Sequence, residues 1–115
     1  MSFVQVAQLD ELTDGPVAVE VDHPSEGPLP VVLFRLPDGE VHALLDECSH
    51  GAVQLSEGDF DAHAGTVECY LHGSLFNVCT GAALNLPATQ PVPVYPVRVE
   101  GKHVLVDVEN PLKEN

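Results

Sequence analysis

The chain has 115 residues, of which 44% are apolar and 5% aromatic, and it contains no tryptophan. Four Lys and Arg against 18 Asp and Glu give a formal net charge of −14. This charge argues against binding to nucleic acid or to an anionic membrane, because the phosphate field would repel the protein. The length predicts one domain over residues 1–115, with a core built from Val, Leu and Ala.

The location expected from the sequence is the cytoplasm. The apolar runs are too short to span a bilayer. The first basic residue is Arg35, so the N-terminus lacks the positive region of a signal peptide. Three cysteines are an odd number, which in a reducing compartment favours metal binding, catalysis or simple burial over a disulfide framework.

Short alternating segments predict strands along most of the chain. Residues 9–12 fit a single turn of helix, and Pro37-Asp38-Gly39 is typical of a turn between two strands. With nine Gly and ten Pro, this pattern predicts an all-β antiparallel sandwich or barrel. In chain order the predicted strands cover residues 3–6, 17–21, 31–36, 41–45, 65–71, 75–79, 82–84, 94–100 and 103–108.

Two short segments each combine one thiol with one imidazole: Cys48-Ser49-His50 and Cys69-Tyr70-Leu71-His72. Zinc accepts two Cys and two His, although its usual motifs place the two cysteines together. Nucleophilic catalysis needs only one such pair and a third group to orient the base, and no such group is identifiable. A Rieske-type [2Fe-2S] cluster explains the pattern best, because two Cys bind one iron and two His bind the other.

The residues around the two Cys–His segments also match a known pattern. Each pair is followed by glycine, Gly51 and Gly73, and the stretches LSEGDF, HGSLFNVCTGAAL and PVPVYPVRVEGKHVLV lie around them. From about residue 41 to 108, the chain resembles the small soluble Rieske-type ferredoxins of bacterial aromatic-ring dioxygenase systems.

The resemblance implies an antiparallel Rieske-type scaffold with a small inserted cluster-binding subdomain at about residues 47–83. It implies one [2Fe-2S] cluster and a carrier that passes single electrons from a ferredoxin reductase to a terminal oxygenase, without being an enzyme itself. The implied ligands are Cys48, His50, Cys69 and His72, and the implied cluster contacts are Gly51, Gly73 and Ser74. Partners would dock transiently on a monomer, near His50 and His72.

Departures from other Rieske proteins refine this expectation. Val53 and Leu71 stand where respiratory members carry a disulfide, so the loops are not expected to be linked. Ser74 matches a hydroxyl that donates to the cluster in high-potential members, whereas Phe76 replaces the corresponding tyrosine. Hydrogen bonds to the sulfurs raise the potential, so the low end of the Rieske range, on the order of −150 mV, is expected.

Cys79 is interpreted as a partly buried strand residue with no histidine nearby, and the remaining histidines as ordinary surface or strand residues. The alternatives to a dioxygenase carrier are a small subunit of another redox complex, such as an assimilatory nitrite reductase, and a ferredoxin tied to iron–sulfur assembly. A zinc-bound interaction module is the alternative from a different class.

Overall fold

The computed structural model describes residues 3–12, 15–47, 54–70, 73–85 and 91–111. Regular structure in these residues consists of β-strands and two single 3-10 turns, Leu9–Glu11 and Leu55–Glu57. The strands are β1 Val4–Gln8, β2 Val17–His23, β3 Gly27–Arg35, β4 Val41–Leu45, β5 Asp59–Asp61, β6 Thr66–Glu68, β7 Leu75–Asn77, β8 Val94–Tyr95, β9 Val97–Glu100 and β10 His103–Val106.

The strands form three antiparallel sheets, which confirms the predicted all-β class. One sheet has the order β1-β10-β9, the second β2-β3-β4-β8 and the third β5-β6-β7. Strands β4 and β8 pair directly, Ala43 with Tyr95 and Leu44 with Val94. The third sheet therefore lies in a segment inserted between two neighbouring strands of the second sheet, and we call it the inserted sheet.

Within the second sheet, residues 31–34 of β3 are buried on both faces. Val31 and Leu33 of β3 pack in a cluster with Val104 and Val106 of β10. The alternate residues Val32 and Phe34 pack in another cluster with residues of the inserted sheet. Because successive side chains of a strand point to opposite faces, a strand between two layers needs apolar residues at every position. This explains the unbroken sequence VVLF at residues 31–34, all four of which are fully buried.

The predicted hairpins are present. The strand bounds differ from the prediction at Pro96 and at the end of β7. Residues 94–100 were predicted as one strand, and this is wrong: Val94–Tyr95 pairs with β4, whereas Val97–Glu100 pairs with β10. Pro96 lies at the break because it has no N–H to donate to a ladder. Strand β7 ends at Asn77, so Cys79 lies in an exposed turn rather than on a strand.

Strand β5 was not predicted, because its sequence Asp-Phe-Asp has only one apolar residue. It pairs with β6, and the turn between them begins at Asp61, whose carboxylate accepts the N–H groups of His63 and Ala64 at 3.1 Å each. In the described residues no helix is long and apolar enough to cross a membrane.

Gly81 joins the inserted sheet to the chain that returns to β8. Its N–H donates to the Asn77 carbonyl at 2.7 Å, and its own carbonyl accepts the Val92 N–H at 2.8 Å. Its φ of +76° is unfavourable for other residues, and a Cβ at this position would overlap the carbonyl oxygen of Val92.

Gly81→Ala is expected to lower stability by at least about 3 kcal/mol, which is a fall of more than about 10 °C in the thermal midpoint. The matched control is Gly101→Ala, where φ is also positive but no atom lies within 4 Å of the added Cβ. The control should lose only about 1 kcal/mol from the backbone strain. Equal midpoints for the two variants, measured by thermal unfolding, would contradict the close approach at Val92.

Candidate metal centre

The described part of the second ligand loop is the end of the β6–β7 hairpin. Glu68 pairs with Leu75, and the Cys69 N–H then donates to the Ser74 carbonyl at 2.8 Å. The Gly73 N–H donates to the Cys69 carbonyl at 2.9 Å, and Gly73 has a φ of +76°. These bonds bring residues 69 and 74 together, as expected for a loop whose two ends approach one site.

Cys69 and Ser74 are both fully buried. The Cys69 thiol belongs to the cluster of apolar side chains that includes Val67 and Phe76, and it forms no disulfide. A thiol held at the end of a rigid hairpin is a good ligand for a soft metal, because little ordering is needed when the metal binds. This position fits a thiolate ligand of an iron–sulfur cluster, with a buried hydroxyl residue beside it.

The other predicted contacts lie outside the described residues. These are Cys48, His50 and Gly51 of the first loop and His72 of the second. Val53 and Leu71, the positions compared with the respiratory disulfide, also lie outside them. The ligand set of two Cys and two His therefore remains a prediction from the sequence.

A buried carboxylate links the two ends of the first loop. Asp46 is 2% exposed, and its Oδ1 accepts the Ser56 N–H at 2.7 Å, while its Oδ2 accepts the Ser56 hydroxyl at 2.6 Å. The Asp46 N–H donates to the Pro30 carbonyl of β3 at 2.9 Å. The segment from 47 to 55, which contains Cys48 and His50, is thus closed by one side-chain interaction. This interaction could not be predicted from the sequence, because Asp and Ser ten residues apart form no known motif.

Apolar side chains around the β6–β7 hairpin reduce the access of water to the Cys69 thiol. Leu55 and Phe76 are fully buried, and Leu75 is partly buried. Phe76, at the position where high-potential members have tyrosine, packs in the core and carries no hydroxyl. Tyr70, directly after Cys69, is instead 59% exposed and presents a large ring at the surface.

Cys79 was expected to have no histidine nearby, and this is wrong. Its Sγ lies 3.5 Å from Nε2 of His42 on β4, and that nitrogen lies 3.3 Å from Oε1 of Glu40. Burial raises the pKa of the Cys79 thiol above its ordinary value, and the carboxylates of Glu40 and Asp38 raise it further. The thiol is therefore protonated at neutral pH, which opposes both nucleophilic reactivity and metal binding.

Comparison with known proteins identifies a single family. The sequence profile described as "Rieske [2Fe-2S] domain" matches residues 2–96. The "Biphenyl dioxygenase ferredoxin subunit" of Pseudomonas sp. (strain KKS102) is 40% identical over 107 residues, which cover 93% of this chain and 93% of that protein.

Solved structures agree with this match. The "Ferredoxin of carbazole 1,9a-dioxygenase from Nocardioides aromaticivorans IC177" is 39% identical with a TM-score of 0.82, over 92% of this chain and 97% of that one. A structure described as "Complex of reduced oxygenase and oxidized ferredoxin in carbazole 1,9a- dioxygenase" is 32% identical with a TM-score of 0.80, over 96% and 97% of the two chains. The resemblance inferred from the sequence is confirmed.

Asp46→Ala is expected to lower stability by about 3 kcal/mol, because it removes both bonds to Ser56 and leaves a partly buried N–H without its acceptor. The matched control is Asp61→Ala, which also removes a carboxylate that accepts two backbone N–H groups, but in an exposed turn. The control should lose about 1 kcal/mol or less. Thermal unfolding of both variants tests this, and equal losses would show that Asp46 does not hold the loop.

The raised pKa predicts slow alkylation of Cys79. At pH 8 its rate with iodoacetamide, followed by mass spectrometry, should be below that of glutathione and should rise about tenfold per pH unit up to at least pH 9. Glu40→Gln should increase the rate at pH 8, because one carboxylate that disfavours the thiolate is removed. The charge-matched control, Glu20→Gln on β2, should leave the rate unchanged. A rate that reaches its plateau below pH 8 would mean a lowered pKa instead.

Proposed function

Because this chain belongs to the family of Rieske [2Fe-2S] domains, we propose that it carries single electrons from a ferredoxin reductase to a terminal non-haem iron oxygenase. The observation that supports this most strongly is the fully buried Cys69 thiol, held beside Ser74 at the end of the β6–β7 hairpin. The hairpin end supplies one rigid thiolate at the position where the family's second ligand loop begins.

The cofactor is a Rieske-type [2Fe-2S] cluster. When bound, it accepts one electron and releases it again without a change in the ligands. We assign Cys48 and Cys69 to one iron and His50 and His72 to the other, with Gly51, Gly73 and Ser74 against the cluster. Thiolates on one iron and neutral imidazoles on the other explain why each loop contains one residue of each type.

The chain acts as an electron-transfer component and not as an enzyme in its own right. It aligns over 93% of its length with 93% of a relative named as a ferredoxin subunit. Residues 1–115 form one domain, and the cluster-binding subdomain covers about 47–83. Support for this division comes from the inserted sheet, whose strands run from residue 59 to 77.

The oxygenase and the reductase dock at the end that carries His50 and His72. Residues 36–97 contain eight Asp and Glu and no Lys or Arg. A partner with a basic surface is therefore attracted to this part of the chain, and the exposed ring of Tyr70 beside Cys69 offers an apolar contact at its centre. Encounters of this kind bury little surface, below about 1,200 Å². A monomer in the cytoplasm suits such a shuttle, since its thiols stay reduced there.

The test compares two cysteines in a matched pair of variants. Reduced wild-type protein should contain two irons and two sulfides per chain and give an EPR signal with the lowered average g value of mixed His and Cys ligation. Cys69→Ser should lose this signal, because an alcohol replaces a thiolate ligand, whereas Cys79→Ser should keep the wild-type spectrum. A colourless wild-type protein with one zinc would overturn the proposal, as would a Cys69→Ser variant with an unchanged spectrum.

Size-exclusion chromatography separates a shuttle from a permanent subunit. A shuttle elutes alone and transfers electrons to an oxygenase at a rate that falls as salt is added, because the steering charges are screened. A protein that co-purifies with a large redox partner at high salt would instead be a small subunit, such as that of an assimilatory nitrite reductase.

A further inference from the structure

Asn85 lies outside both ligand loops, yet its side chain binds the second loop twice. Its Oδ1 accepts the Leu75 N–H at 2.6 Å, and its Nδ2 donates to the Gly73 carbonyl at 3.2 Å. These two backbone groups stand on either side of Ser74. The amide is suited to this task because it offers one acceptor and two donors in one plane.

The loop segment from Gly73 to Leu75 is thereby held on both edges. On one edge, Cys69 accepts the Gly73 N–H and donates its own N–H to the Ser74 carbonyl. On the other edge are the Asn85 amide and the Leu84 N–H, which donates to the Leu75 carbonyl at 2.8 Å. A shift of this segment away from Asn85 would also move the partners of Cys69.

The chain around Asn85 runs antiparallel to β7 as a partial fourth strand of the inserted sheet. The Asn77 N–H donates to the Ala82 carbonyl at 3.0 Å, and Ala83 forms a bridge with Phe76. The ladder ends at Leu84. Beyond Leu84, the side chain of Asn85 makes the hydrogen bonds that another pair of backbone groups would otherwise make. One of these bonds reaches the Gly73 carbonyl in the turn.

We propose that Asn85 is a positioning residue for the second ligand loop, which acts on Cys69 and Ser74 through Gly73 and Leu75 and so controls retention of the cluster and its potential. This inference rests on the proposed function. Without the amide, the edge of the 73–75 segment opens to water and the loop samples more conformations. The Cys69 thiolate is then released more readily, and a hydrogen bond from Ser74 to a cluster sulfur is populated less.

The test compares Asn85→Ala with Asn77→Ala. Asn77 is a matched control, because its Oδ1 also accepts two backbone N–H groups, those of Cys79 and Thr80 at 2.8 and 3.1 Å, but in the turn at the far end of β7. Cluster loss is followed by the decay of visible absorbance in an excess of iron chelator. Asn85→Ala should lose the cluster about fivefold faster than wild type, the factor expected for one net hydrogen bond. Asn77→Ala should change the rate less than twofold.

The midpoint potential is the second readout, and a loss of overall stability would not move it. Asn85→Ala should have a lower potential than wild type, since hydrogen bonds to sulfur stabilise the reduced cluster. Asn77→Ala should keep the wild-type potential. Should Asn85→Ala not fold with its cluster, Asn85→Asp is measured instead, as it keeps the acceptor for Leu75 and loses the donor for Gly73. Its cluster should also be lost faster than that of wild type.

The outcomes separate this inference from the proposed function. Wild-type protein without a reduced-cluster signal would overturn the proposed function itself. A wild-type cluster whose decay rate and potential respond equally to Asn85→Ala and Asn77→Ala would overturn only the role of Asn85. An Asn85→Asp variant with the wild-type decay rate and midpoint potential would also overturn the role of Asn85.

Discussion

The burial of the Cys69 side chain among apolar residues links the proposed metal site to the folding of the whole protein. Its thiol shares a core cluster with Phe34 of the second sheet, on β3, and with Phe76 of the inserted sheet. The opposite face of β3 packs in a second core cluster. A side chain packed in this way has few alternative positions, because the protein interior is close-packed.

Two polar side chains bind the described ends of the two loops. Asp46 joins the two ends of the first loop through Ser56, and Asn85 supports the turn of the second. The two residues differ in burial, since Asp46 is almost fully enclosed and Asn85 is exposed. A buried charge bound by two donors is costly to break, whereas an exposed amide competes with water. The bonds between Asp46 and Ser56 should therefore be harder to break than those that Asn85 makes with Gly73 and Leu75.

Much of the fold could be predicted from the sequence, because alternation and turn residues are local signals. Strand β4 begins and ends where it was predicted, and the single helical turn near Leu9 is present as a 3-10 turn. Strand β5 was missed because it contains only one apolar residue, which is too few to establish an alternating pattern. The contact of Cys79 with His42 was missed for a different reason: 37 residues separate them, and only the packing of the inserted sheet brings them together. The contacts of Asn85 could not be predicted for the same reason, because its partners lie ten and twelve residues away in the chain.

Under the proposed function, the carboxylates of residues 36–97 act both on a basic partner and on the potential of the cluster. Eight of them occur in residues 36–97 without a single Lys or Arg. Reduction adds a negative charge, so uncompensated carboxylates oppose it and lower the potential. The hydrogen bond predicted from Ser74 would act in the opposite direction, and salt would screen it less because Ser74 is buried. Added salt should therefore weaken the carboxylate contribution more than the Ser74 contribution, and a docked partner with a basic surface should do the same. Under the proposed function, docking of such a partner is then expected to raise the potential of the carrier.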